Sequence, residues 1–154
     1  MKKILVTFLT GGVVVALIVG LLSSLSSSSS AKSQTLADTS AKIERGRYIV
    51  HGVGLCIDCH SPRTEKGELI EARQLTGAPL AFGPTVPMPW ATVTPRIAGL
   101  PAGYSESQMI HFLMTGERPN NLPPPLPPMP PYRMNQQDAE AVTAYLHSLV
   151  VQAN

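Results

Sequence analysis

Charge, aromatic rings and cysteine are all scarce in this chain. Of its 154 residues 14% are charged and 5% aromatic, and there are two cysteines. From Ala41 onward nine Lys/Arg stand against nine Asp/Glu, with no basic stripe and no interleaved aromatics. That balance excludes the electrostatic footprint of a nucleic-acid-binding surface. Seven aromatic residues over 41–154 can build only a modest core, so short helices there would gain from a large apolar group to pack around. No internal repeat is visible, which excludes a solenoid, and strand signals are few. The length leaves room for one domain and little more.

One long apolar run is present, from Ile4 to Leu22, without a charge. As a helix it would be about 28 Å long, close to the hydrocarbon thickness of a bilayer. Lys2 and Lys3 before it orient the amino end toward the cytoplasm and everything after Leu22 outward. Two readings stand. Its length favours an uncleaved anchor, whereas Ser29-Ser30-Ala31 is an acceptable cleavage site for a removed signal peptide. The first puts the domain on the inner membrane facing the periplasm, the second free in the periplasm. Residues 23–40 are rich in serine and read as a flexible tether. The expected organisation is therefore 1–22 signal-anchor or signal peptide, 23–40 tether and 41–154 folded domain.

Within that domain the spacing predicts helices and hence an all-α fold. The first runs from about Ser40 through Ile43, Tyr48, Ile49 and Val50 and stops in Gly52-Val53-Gly54. The second opens on Ser105 with Gln108 three residues on, a capping box, and closes at Gly116. The third is capped by Asn135, with Ala139, Val142, Tyr145, Leu146 and Leu149 at helical spacing. Between the last two, residues 122–131 hold seven of the chain's 15 prolines. Such a segment cannot be helix or central strand and reads as a stiff, extended clamp.

The cysteines carry the chemistry. In an exported chain two cysteines ordinarily suggest a disulfide, but these stand in Cys56-Ile57-Asp58-Cys59-His60, where a disulfide would close only a tiny loop. Two thiols at this spacing can each add to one vinyl group of haem, and the histidine that follows can bind the iron. A structural zinc site needs a fourth ligand, and His51, His111 and His147 are isolated; they read as surface or helix-packing residues. A thioredoxin-like pair needs a βαβ context, which is not predicted. The motif points to one covalently bound haem c.

A second iron ligand is sought among the methionines. Met109 and Met114 fall in or at the end of a helix and read as packing, while Met88, Met129 and Met134 stay open. Met129 is favoured: prolines on both sides hold its backbone, so little entropy remains to be lost on binding. Trp90 and Arg96 are candidate donors to the haem propionates.

The segments Glu44–Tyr48, Cys56–Arg63, Leu122–Tyr132 and Asn135–Leu149 together resemble single-haem, class I-like bacterial cytochromes c. The resemblance implies a small helical fold wrapped around one haem, with the distal ligand on Met129. It also implies terminal helices crossing through Gly46, Tyr48 and Tyr145. Residues 74–104 offer nothing specific to align, so the acceptor for the His60 ring N–H stays open. The expected function is single-electron carriage, without enzymatic turnover, to or from a membrane oxidoreductase, dehydrogenase or terminal oxidase. The alternative is a haem enzyme or gas sensor with an open sixth iron position; the distal acid/base pair it needs is not seen.

Overall fold

The structure, a computed structural model, describes residues 32–149. The apolar run 4–22 lies outside the described residues, and among those described no helix is long and apolar enough to cross a membrane. The chain divides into two units, residues 1–40 and 41–154. In the first, residues 32–40 are helical and exposed, where composition places tether. Lys32, Gln34, Leu36 and Ala37 are good helix formers, and the serine run ends before them.

The described residues of the second unit form four α-helices and little sheet. Helix α1 covers 41–48 and runs into a π-helical turn, Ile49–Val53. Helix α2 is Cys56–His60, α3 is Glu106–Thr115 and α4 is Gln136–Ser148. The helix ends follow local chemistry. Ser105 Oγ accepts from Gln108 N and the Gln108 side chain accepts from Ser105 N, closing the capping box. Gly116 ends α3 at φ 80°, a conformation that costs glycine little. Asn135 Oδ1 accepts from Asp138 N to cap α4. The strand pair, β1 (Ala78–Pro79) and β2 (Val93–Thr94), is antiparallel with Ala78 opposite Thr94. At two residues each, these strands are too short for an alternating pattern to reveal.

Helices α1 and α4 meet at Gly46. A Cβ there would lie 1.9 Å from the Ala141 carbonyl oxygen and 2.7 Å from Tyr145 Cβ, so only glycine permits this approach. Gly46 on α1 and Ile49 and Val50 at the start of the π-helical turn share one buried face, at the i, i+3, i+4 spacing of one side of a helix. Tyr48 falls between them, and the expectation that it packs in the core is corrected: it is 55% exposed, with the Arg45 guanidinium 5.7 Å above its ring. Tyr145 is buried as expected. Lys42–Glu140 and Arg45–Asp138 pairs, both at 3.0 Å, bridge the same two helices at the surface; exposed pairs of this kind contribute little.

His51 also joins the crossing, its Nε2 2.8 Å from Tyr145 Oη. Burial, helped by repulsion from Arg47, holds its pKa below the ordinary imidazole value. The unfolded chain therefore takes up this proton at higher pH than the folded one, and stability falls as pH drops below about 6.5. Denaturant titrations between about pH 7.5 and 5 should show that slope flattened in His51→Gln, which keeps a polar partner for Tyr145 but cannot titrate.

Candidate haem site

Helix α2 barely exceeds one turn, and that suffices. Cys56 and Cys59 are three residues apart and His60 is four from Cys56, so one helical turn turns all three toward the same side. Leu55 starts the turn at φ 51°, a left-handed conformation that costs a non-glycine residue about 1–2 kcal/mol. It reverses the chain between Gly54 and Cys56. Burial raises the Cys56 thiol pKa.

His60 is buried, 6% exposed, and its Nδ1 lies 2.8 Å from the Pro95 carbonyl oxygen. A carbonyl only accepts, so Nδ1 carries the proton and Nε2 keeps a free lone pair, the tautomer that an iron ligand requires. Sequence reasoning left this acceptor open. It sits 35 residues away along the chain, and nothing in the local spacing signals it. The loop around Pro95 is fixed in turn. Thr94 Oγ1 donates to Cys59 O at 2.8 Å and accepts from Ala78 N at 3.0 Å, while Gly77 N donates to His60 O at 2.8 Å.

Cys56, Cys59 and His60 line a cavity of about 980 Å³ that Met129 lines as well. Buried Ile97, Met109, Phe112, Leu113, Val142 and Leu146 make much of its wall apolar. Its volume is at the upper end of the roughly 300–1,000 Å³ found for ligand and cofactor pockets. Met88 is 44% exposed and does not line it, and neither does Met134. Met109 does line it, buried on α3.

The segment bearing Met129 is tied down on several sides. Ala91 N donates to Pro127 O at 2.8 Å, Met134 N donates to Leu113 O at 3.1 Å, and Tyr132 Oη donates to Gly54 O. The last bond joins the proline segment to the residue two before Cys56. Burial, with the nearby Cys56, pushes the Tyr132 pKa well above its usual value, so the hydroxyl stays a donor.

Of the two candidate propionate donors, Arg96 does not line the cavity. Its Nε donates to Ala98 O at 2.8 Å and its side chain is exposed outside the cavity. Arg63 and Arg118 line the cavity instead. Arg63 pairs with Asp58 at 2.9 Å, whereas Arg118 makes only long bonds, 3.2 and 3.4 Å, to Pro123 O and Tyr104 Oη. Trp90 does not line the cavity, but its ring packs edge-on against Phe82, which does. Its Nε1–H is buried and without a protein acceptor. Buried donors are nearly always satisfied, so this one fits an acceptor that the described residues do not supply. Paired thiols, a histidine in the ligating tautomer, apolar walls and spare donors together fit a covalently held haem. His111 and His147 are exposed and pair with Glu117 and Glu106.

Comparison with known proteins agrees. Residues 43–150 match the family model for cytochrome c. A curated relative from Cereibacter sphaeroides, described as a diheme cytochrome c-type protein, is 31% identical over 83 residues. That stretch is 54% of this chain and 26% of the relative, so the chain spans about a quarter of the relative's length.

Proposed function

This chain belongs to the cytochrome c family, whose members hold haem c covalently and transfer electrons, and on that premise we propose that it carries single electrons through one haem c ligated by His60 and Met129. The observation that carries the reading is the shared cavity, lined both by the Cys56–His60 turn and by the proline-held Met129. The two cysteines form a single attachment motif, which supports one haem in this chain.

When bound, haem c supplies a one-electron Fe(III)/Fe(II) couple. Cys56 and Cys59 hold it through thioether bonds. His60 offers Nε2 to the iron, and the Pro95 carbonyl fixes the ring's orientation and raises its basicity. Met129 offers a neutral, soft thioether, which favours Fe(II) and raises the reduction potential. The apolar wall from α3 and α4 limits water, and Arg63 and Arg118, which line the cavity, are donors available to the propionates.

The visible spectrum of the haem-loaded protein tests this. The oxidised form should be low-spin with the weak far-red band of methionine ligation. Met129→Ala should abolish the band and lower the potential, while Met88→Ala and Met109→Leu keep it. A high-spin spectrum in the unaltered protein would overturn the reading in favour of an open iron position.

The charge-free run 4–22 behind Lys2 and Lys3 supports an inner-membrane anchor with the haem domain in the periplasm. Electrons would then pass to or from a membrane oxidoreductase, a dehydrogenase or a terminal oxidase. Membrane fractionation with N-terminal sequencing checks the anchor; a mature chain starting at Lys32 would refute it.

A further inference from the structure

The stretch 91–95 touches the supports of both proposed iron ligands. At one end Ala91 N donates to Pro127 O, two residues before Met129, at 2.8 Å. At the other, Pro95 O accepts from His60 Nδ1, also at 2.8 Å. Between them lies β2, and an extended chain over four residue steps spans about 13 Å. We propose that residues 91–95 form one strut holding the Met129 and His60 supports together, with Thr94 and Gly77 as the positioning residues that fix where it sits. The inference rests on His60 and Met129 being the two iron ligands.

Thr94 anchors the strut through its hydroxyl, bonded to Cys59 O on α2 and to Ala78 N on β1. Gly77 presses on it from the side. At φ +85° its backbone packs so closely that a Cβ would lie 2.6 Å from Thr94 O and 2.9 Å from Pro95 C. Any side chain there must push the Pro95 carbonyl, and the strand behind it, out of place. At the far end nothing soft absorbs the shift. Pro127 and Pro128 stand between the Ala91 bond and Met129, and Pro130 follows it; prolines fix φ and stiffen the segment. A displacement at the His60 end is thus passed on to the Met129 end.

Two rates measured on the haem-loaded full chain test this. Exchange of the His60 ring N–H, followed by NMR, reports the Pro95 end. Displacement of Met129 by added imidazole, followed as loss of the far-red band, reports the Pro127 end. Thr94→Val keeps nearly the same shape but strips two buried partners, and both rates should rise together, each about tenfold, as losing a buried hydrogen-bond partner allows. Gly77→Ala should do the same wherever it folds. Ser105→Ala, which removes the α3 cap far along the chain from the strut, should leave both rates within about twofold. A Thr94→Val protein with faster N–H exchange but unchanged imidazole displacement would overturn the strut. So would a joint rise in Ser105→Ala, which would mean general softening. Absence of the far-red band from the unaltered protein would instead sink the Met129 assignment, and this inference with it.

Discussion

Replacing Gly46 by alanine should destabilise the haem-loaded domain by about 3 kcal/mol, the upper end of what overpacking typically costs, and a large part of the roughly 5–15 kcal/mol of a typical domain. On intrinsic preference alone the sign would be the opposite, since alanine is better than glycine inside a helix by about 1 kcal/mol. The new methyl decides otherwise. It would sit 1.9 Å from the Ala141 carbonyl oxygen and 2.5 Å from its carbon, so backbone has to move and the α1–α4 crossing must open. Guanidinium titration of the purified holoprotein measures the loss. Gly52→Ala is the matched control: its Cβ would meet only the Tyr48 ring, at 3.6 Å, an ordinary contact, so it should be neutral or slightly stabilising.

Leu113→Ala should lower stability by about 2–5 kcal/mol. Leu113 is 2% exposed, lies on α3 within the main apolar cluster and lines the site cavity. Truncation removes apolar surface from a cluster that also holds Ala139, Val142 and Leu146 of α4, and it leaves added space at the cavity wall. Its carbonyl, which accepts from Met134 N, is untouched by the change, so the loss reads packing and not the tie to the proline segment. Val53→Ala, at a position 59% exposed, should stay within about 0.5 kcal/mol. Melting of the two holoproteins side by side gives the comparison.

What could be read in the sequence was what short-range chemistry writes there. The caps at Ser105 and Asn135 and the stop at Gly116 depend on residues within four of one another, and all three are in the structure. Cys56, Cys59, His60 and Met129 were legible as residue types in specific surroundings, and they line one cavity. Tyr48 was misassigned because it lies beside residues that are buried, two positions from Gly46, where the helix has already turned outward. Arg96 stood open between propionate donor and solvated loop charge, and it is exposed with its Nε used locally on Ala98 O. Arg63 and Arg118 carry no sequence sign of facing the cavity, because their placement depends on where loops meet. The β1–β2 pair and the Pro95 acceptor belong to residues 74–104, where no motif stood out.

That silence follows from how the His60 ring is held. The group that receives its proton is a peptide oxygen, and every amino acid owns one. An alanine scan would therefore not delete the acceptor at position 95, and chains of this kind could diverge there with the bond intact. The same holds at Pro127, Gly54 and Leu113, whose carbonyls take the bonds that tie the Met129 segment. The ligands are written in side chains and their scaffolding mainly in main chain, so comparison by residue identity sees the first and overlooks the second.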